Sequence, residues 1–318
     1  MKQADLLIRG IHVFAPEDLG VNDVAIADGK VAAIGAHLEL ASAQELDGRG
    51  KLLLPGVIET HAHMSMPFAG TKTMNTFYDG TYAGAFGGVT TLIDFAQQIG
   101  AASLHQSLRD RLAEAEGRCC VDYGFHITLT DTSAQTIAEL PSLCREGYSS
   151  FKLHTTYRGG GLYVDTDGLY RVFSEIARCG GLVTVHAEND EMIDAAMQRL
   201  LREGKTDFRY FPEYKPDEAE AEAVSRCIRI ARETGCKLLI RHISSMEAAE
   251  AIAEAQAQGL PVYAETCPQY LAFTREVYAQ ENGRDFILHP PIRGAEDREA
   301  IWRAICGGMK ITLATDDC

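Results

Sequence analysis

Pro55-Gly56-Val57-Ile58-Glu59-Thr60-His61-Ala62-His63 is the stretch on which both fold and chemistry turn. The apolar run Leu52-Leu53-Leu54 leads through a Pro-Gly turn into a short β-branched segment that ends in two histidines one residue apart. Alternate side chains of an extended strand point the same way, so His61 and His63 can aim both imidazoles at one point.

Downstream, short apolar runs alternate with amphipathic stretches. The runs at 57–61, 89–95, 121–127, 149–154, 182–186, 237–242, 260–265 and 311–316 read as strands. Stretches 104–115, 167–178, 218–234 and 246–257 read as helices, the first with Leu104, Leu108 and Leu112 at helical spacing. Eight strands with helices between them predict an α/β fold of the (β/α)8 TIM-barrel type rather than an open doubly wound sheet. No GxGxxG or GxxxxGK[ST] follows any strand, which argues against a nucleotide-binding fold. Residues 1–54 read as all β, with strands at 6–8 and 21–26 and an Asp28-Gly29 turn into 30–35. A few strands with open edges are marginal alone, so this segment is expected to pair with something else. Segment 204–216, with Phe208, Tyr210, Phe211, Pro212 and Tyr214, reads as an aromatic-pinned connection, or else as a cleft wall or subunit contact.

The formal net charge of −15 over 318 residues argues against a nucleic-acid or anionic-membrane partner. No apolar run approaches the ~20 residues that span a bilayer, and the first residues do not read as a signal peptide. The nine cysteines contain no CxxC pair. An odd, scattered count suggests reduced thiols in the cytoplasm and no structural zinc site.

Active sites of such barrels lie at the C-terminal ends of the strands. His61, His63, Lys152, His186, His242 and Asp316 all fall at strand ends here. Each alone has a bland reading as a hydrogen-bonded core or loop residue. Four histidines and an aspartate at one end of one barrel point to a shared metal site, and imidazole with carboxylate suits Zn²⁺. Five ligands are one too many for a single catalytic zinc with an open position, so two ions sharing a bridging water fit better. Lys152, in the apolar strand Ser149-Ser150-Phe151-Lys152-Leu153-His154, admits four readings: a base of low pKa, a Schiff-base lysine, a structural lysine or a carbamylated metal bridge.

With these residues the chain resembles the hydantoinase/dihydropyrimidinase family of cyclic amidohydrolases. The likeness spans nearly the whole sequence. It rests on the HxH stretch, Met66-Pro67-Phe68, Gly87-Gly88-Val89-Thr90-Thr91, Ser150-Phe151-Lys152, Val185-His186-Ala187-Glu188-Asn189, Glu265-Thr266-Cys267-Pro268-Gln269-Tyr270-Leu271, Pro290-Pro291-Ile292-Arg293 and Ala314-Thr315-Asp316. The resemblance implies a binuclear site, usually zinc. His61, His63 and Asp316 would hold one ion and His186 and His242 the other, bridged by Lys152 carrying a CO2-derived carbamate. It implies that Tyr157 hydrogen-bonds the substrate carbonyl, that a metal-bridging hydroxide attacks it, and that Asp316 moves the proton to the leaving nitrogen. The ring then opens to an N-carbamoyl amino acid. It further implies a homo-oligomer, tetramer or dimer, and a small β-sandwich to which residues 1–54 contribute, beside a barrel over 55–318.

Related activities differ at known places. A dihydroorotase-like chain would carry arginine where Ser65 stands, and an allantoinase-like one Asn-Glu-Pro-Gly after the HxH. An allantoinase-like or other cyclic-amide hydrolase, or a non-catalytic scaffold that has lost ligands, are the alternatives. Three positions depart from the family pattern. His289 replaces a serine that contacts the substrate ring, His154 replaces an aromatic or apolar residue, Asp317 replaces histidine or asparagine, and His126 is expected to be structural. The sequence stops at Cys318, whereas family members continue with a last barrel helix, an asparagine loop and the remaining sandwich strands. It is therefore expected to be part of a longer protein; ending there, it would be poorly stable and barely active.

Overall fold

In the computed structural model, which describes residues 3–68 and 70–318, Asp28 and Gly29 take φ of 53° and 69°. Two successive positive φ values are what a tight hairpin turn needs. They join β2 (Asp18–Ala27) to β3 (Lys30–Gly35), and β2 pairs antiparallel with β1 (Gln3–Phe14). β4 (Ala41–Asp47) and the short β5 (Leu52–Leu53) both run parallel to β1. β1 has two buried faces: Ala4 and Leu7 pack with Ala25, and Ile8, Ile11 and Val13 with Val24. β4 escapes sequence reading because its residues are mostly polar and exposed. These strands lie in a compact unit of residues 1–57, and residues 58–318 form a second.

The second unit is a barrel. β6 (Val57–Glu59) is followed by a small hairpin, β7 (Pro67–Phe68) and β8 (Thr71–Lys72). Then come β9 (Val89–Gln97), β10 (Asp122–Thr128), β11 (Ser150–His154), β12 (Leu182–His186), β13 (Lys237–Ile240), β14 (Val262–Thr266) and β15 (Ile311–Leu313). The sheet runs in chain order from β6 through β9 to β15. It closes where Ala62 bridges Asp317 in parallel: His63 N–H donates to the Asp317 carbonyl at 2.7 Å and Asp316 N–H to that of His61 at 2.9 Å. This seam sets the first and last predicted ligands side by side.

Alternation along the strands divides their labour. On β11 and β12, Phe151, Leu153, Val183 and Val185 are buried in the apolar cluster shared with helix residues such as Val172 and Ile176. Burial of each such side chain is worth about 1.5–3 kcal/mol. The alternate residues Lys152, His154 and His186 line the interior cleft. Helices Leu104–Ala115 and Met246–Ala257 have the predicted bounds, and Thr166–Cys179 and Asp217–Thr234 run one residue further at one or both ends. Asn189, which ends the His186-Ala187-Glu188-Asn189 motif, caps helix Asp190–Arg202 by accepting from Met192 N–H.

Three strands stop short of their predicted ends. β6, β13 and β15 end before His61, His242 and Asp316, and the last two take φ of 38° and 56°. A positive φ cannot continue a strand.

Candidate active site

His61, His63, Lys152, His186, His242 and Asp316 line one cleft of about 380 Å³, together with Tyr157, His154 and His289. All eight residues singled out as site positions in the sequence are therefore brought together. One oxygen of Asp316, Oδ1, lies 3.1 Å from His61 Nε2 and 3.2 Å from His63 Nε2. Ligand-capable atoms of His61, His242 and Asp316 fall within 4.8 Å of one another, as do those of His63, Asp316 and Cys318. The His186 ring lies 4.5 Å from that of His242 and 5.0 Å from that of Tyr157.

The backbone is strained at this end of the barrel. Tyr157, His242 and Asp316 all adopt positive φ, as does Ser65 in the loop after the HxH. Such conformations cost non-glycine residues of order 1–3 kcal/mol and cluster at functional sites. Here three of the four fall on predicted site residues, and the turn at His242 carries it into the cleft directly after the fully buried Arg241.

Burial sets the protonation states. It pushes His61 and His242 well below the ordinary histidine value and lowers His186, so all three imidazoles are neutral and able to act as ligands. Burial, reinforced by the nearby Arg241, pulls Lys152 down to about 7. Its ammonium has no hydrogen bond or ion pair among the described residues, only the Phe95 ring at 5.5 Å. Burial alone would raise Asp316, but His61, then His63 and His242, hold its carboxyl well below the usual range: a proton entering this cluster on acidification goes to an imidazole rather than to the carboxylate. Tyr157 moves well above its ordinary value, chiefly through burial and then the Glu188 charge, so its hydroxyl keeps its proton.

A buried polar layer orients these side chains, and sequence reasoning assigned it no role. Glu265 Oε1 is 2.6 Å from His61 Nδ1, while its other oxygen accepts from Arg241. Arg241 also donates to the Thr60 carbonyl at 3.0 Å and to His126 Nε2 at 2.8 Å. His126 is thus structural as expected, with its Nδ1 2.6 Å from Ser150 Oγ. On the far side Glu188 Oε2 is 2.6 Å from His186 Nε2 and pairs with the buried Lys215. The Glu59 carboxylate accepts from His61 N–H at 2.8 Å and from Thr315 N–H at 3.1 Å, across the barrel seam. Asp94 accepts from Met64 N–H at 2.7 Å and from Arg111, fixing the chain just after His63. Phe95 stands at the centre, its ring 5.1 Å from His61 and 4.7 Å from His63. Glu59, Glu188 and Glu265 all sit inside recognised motifs. Arg241 and Lys215 had no such signal beyond being cations in or beside apolar segments.

The departures also find places. Asp317 Oδ2 accepts from Asn75 Nδ2 at 2.9 Å, away from the ligand atoms. His289 rests edge-on against Tyr157, with ring centres 5.8 Å apart, and against Phe211 at 5.3 Å. Segment 204–216 therefore supports the cleft: it folds into the turn Phe208–Tyr210 and the short helix Phe211–Tyr214, with Phe211 behind His289.

Residues 52–318 match the model of the amidohydrolase family. The chain is 39% identical to a D-hydantoinase of Streptomyces coelicolor, covering 98% of this chain and 68% of that one. A D-hydantoinase of Geobacillus stearothermophilus is 36% identical over 98% of this chain and 67% of its own length. The chain belongs to the hydantoinase group of the amidohydrolase family. Solved structures agree. A dihydropyrimidinase from Brevibacillus agri superposes with a TM-score of 0.95 at 36% identity, over 98% of this chain and 68% of that one. A D-hydantoinase from a Bacillus species, strain AR9, gives 0.95 and 36% over 98% and 69%. The group is metal-dependent, and the donor set here suits divalent ions on its own chemistry. It offers imidazoles kept neutral by burial, an ionised carboxylate between two of them, and a buried amine without a partner.

Proposed function

We propose that this chain hydrolyses the ring amide or imide bond of a hydantoin or dihydropyrimidine, giving the N-carbamoyl amino acid. The observation that carries the reading is the cleft itself. Six ligand-type side chains from strand ends all around the barrel converge beside Tyr157, with about 380 Å³ of room. His61, His63 and Asp316 would hold one divalent ion and His186 and His242 a second, both zinc on this reading, with carbamylated Lys152 joining them. A lysine drawn to about 7 has a large fraction of free amine at neutral pH, the form that adds CO2. When bound, the ions supply Lewis acidity to the carbonyl oxygen and acidify water.

The protein's own residues do the rest. Glu265 and Glu188 accept from His61 Nδ1 and His186 Nε2, which leaves His61 Nε2 and His186 Nδ1 free as ligand atoms. The Tyr157 hydroxyl donates to the carbonyl oxygen as negative charge builds there. Asp316, ionised, accepts a proton from the attacking water and returns it to the ring nitrogen. A new C–O bond forms at the carbonyl carbon, the ring C–N bond breaks, and the nitrogen leaves protonated.

On the same reading residues 1–54 contribute strands to a small β-sandwich, and residues 55–318 form the barrel domain. The protein would be a cytoplasmic homo-oligomer, dimer or tetramer; its nine free thiols support the compartment. No helix among the described residues is long and apolar enough to cross a membrane. The test is incubation of metal-loaded protein with hydantoin and dihydrouracil, with chromatographic detection of the N-carbamoyl product. Tyr157→Phe should lower kcat by about 10²–10³ with little change in metal content. A metal-loaded, folded protein that opens neither ring would refute the assignment.

A further inference from the structure

Two histidines in the cleft are left over by this mechanism. His289 and His154 both line it, and neither ring nitrogen of either residue has a hydrogen-bond partner among the described residues. In both, Nδ1 is enclosed by protein while the residue faces the cleft, so Nε2 is the nitrogen that can meet a ligand. A proton on Nδ1 would leave a buried N–H without an acceptor, which folded proteins rarely tolerate; a proton on Nε2 leaves only a lone pair unsatisfied. The geometry therefore selects the tautomer that turns an N–H donor into the cleft. Among the described residues His289 has no carboxylate within ion-pair distance, unlike His63 with Asp316 at 3.2 Å.

Both rings lie against Tyr157, His154 at 6.0 Å and His289 at 5.8 Å between centres. Tyr157 is already committed to the reacting carbonyl. The two histidines thus form a donor-rich wall next to it, with Gln97 and Thr128 adding further neutral polar groups. Among the described residues the lining contains no arginine, and its lysine, Lys152, belongs to the proposed metal site. A carboxylate on the substituent would meet no guanidinium or free ammonium of the lining and would lose hydration, whereas an uncharged acceptor would satisfy the donors at lower cost.

Resting on the ring-opening function above, we propose that His289 and His154 are specificity-determining residues that donate from Nε2 to an uncharged acceptor on the ring substituent. The cleft thereby selects cyclic ureides bearing a carboxamide-like group over those bearing an apolar group of equal size.

The hydantoins of asparagine and leucine, whose side chains are close in size and shape, make the direct comparison. The metal-loaded protein should favour the asparagine-derived ring by about tenfold in kcat/KM, the worth of one or two neutral hydrogen bonds. The aspartate-derived ring should be the poorest of the three polar and apolar probes. His289→Phe should erase most of the preference and His289→Asn should restore part of it. Independently of activity, histidine ¹⁵N spectra of the wild-type protein should show His289 as the Nε2–H tautomer. Equal or reversed preference for the leucine-derived ring, with hydantoin itself still opened, would overturn this inference and leave the ring-opening assignment standing. An Nδ1–H tautomer at His289 would overturn it too. If no ureide is opened, the assignment fails and the inference falls with it.

Discussion

Glu265 holds two groups at once, the His61 imidazole on one oxygen and the Arg241 guanidinium on the other. Both of its partners are buried, so each half of the interaction has a distinct expected consequence. Glu265→Gln keeps the shape but weakens the hold on His61 Nδ1, and metal affinity should fall about 10–100-fold in a chelator-competition titration. Arg241→Ala instead leaves Glu265 as a buried charge without its cation. Stability should drop by about 3–5 kcal/mol in urea unfolding, with the Thr60 carbonyl and His126 also losing a donor. At this scale the sequence exposes the candidate ligands and conceals their supports. His61, His63, His186 and His242 stand out because imidazoles at strand ends are chemically conspicuous. Arg241, Lys215 and Arg111 do not, because nothing local says that a cation in an apolar segment will meet a carboxylate far away in the chain. Lys215 and Glu188 are 27 residues apart, Arg241 and Glu265 are 24 apart, and Thr60 is 181 from Arg241.

Among elements, the periodic ones are the most legible. The four predicted helices and eight predicted strands all appear, because alternation at period 2 and the 3.6-residue spacing survive packing. What fails is local. β4 is polar and exists by pairing with β1, and strand ends at His242 and Asp316 are cut short by positive φ that serves the cleft. One contact between elements carries its own pH signature. His105, on helix Leu104–Ala115, places Nδ1 2.8 Å from Glu139 and Nε2 3.2 Å from Glu146, at helix Ala134–Arg145 and its end. The hydrogen bond to Glu139 raises the His105 pKa above 6.5 despite partial burial. A histidine with a raised folded-state pKa contributes stability that is complete below 6.5 and is lost as pH rises through the folded value. His105→Ala should therefore lower the urea midpoint below pH 6.5 and have less effect well above it.

For the barrel as a whole, closure and the candidate site share one seam. The first and last strands meet through Ala62 and Asp317, and Glu59 clamps His61 N–H and Thr315 N–H on its two sides. Glu59→Ala removes an acceptor from two backbone donors, a loss of about 1–3 kcal/mol for each donor left buried and unmade. It should also loosen His61 relative to Asp316, so activity should fall further than stability alone explains, readable as kcat at a temperature where the variant stays folded. The barrel order follows from eight strands in sequence and was readable in advance, as was the expectation that the candidate ligands share one end of it. The polar layer beneath the ligands was not, since it depends on the closed geometry.

The proposed function has a metal pair joined by Lys152 in this cleft open a cyclic ureide. Its most direct test measures bound metal and hydantoin hydrolysis together, in the wild-type protein, after chelation and in Lys152→Ala. About two ions per chain, with hydrolysis abolished by chelation, restored by metal and lost in the variant, is the predicted result. Ring opening that persists in both the chelated protein and the variant would contradict it.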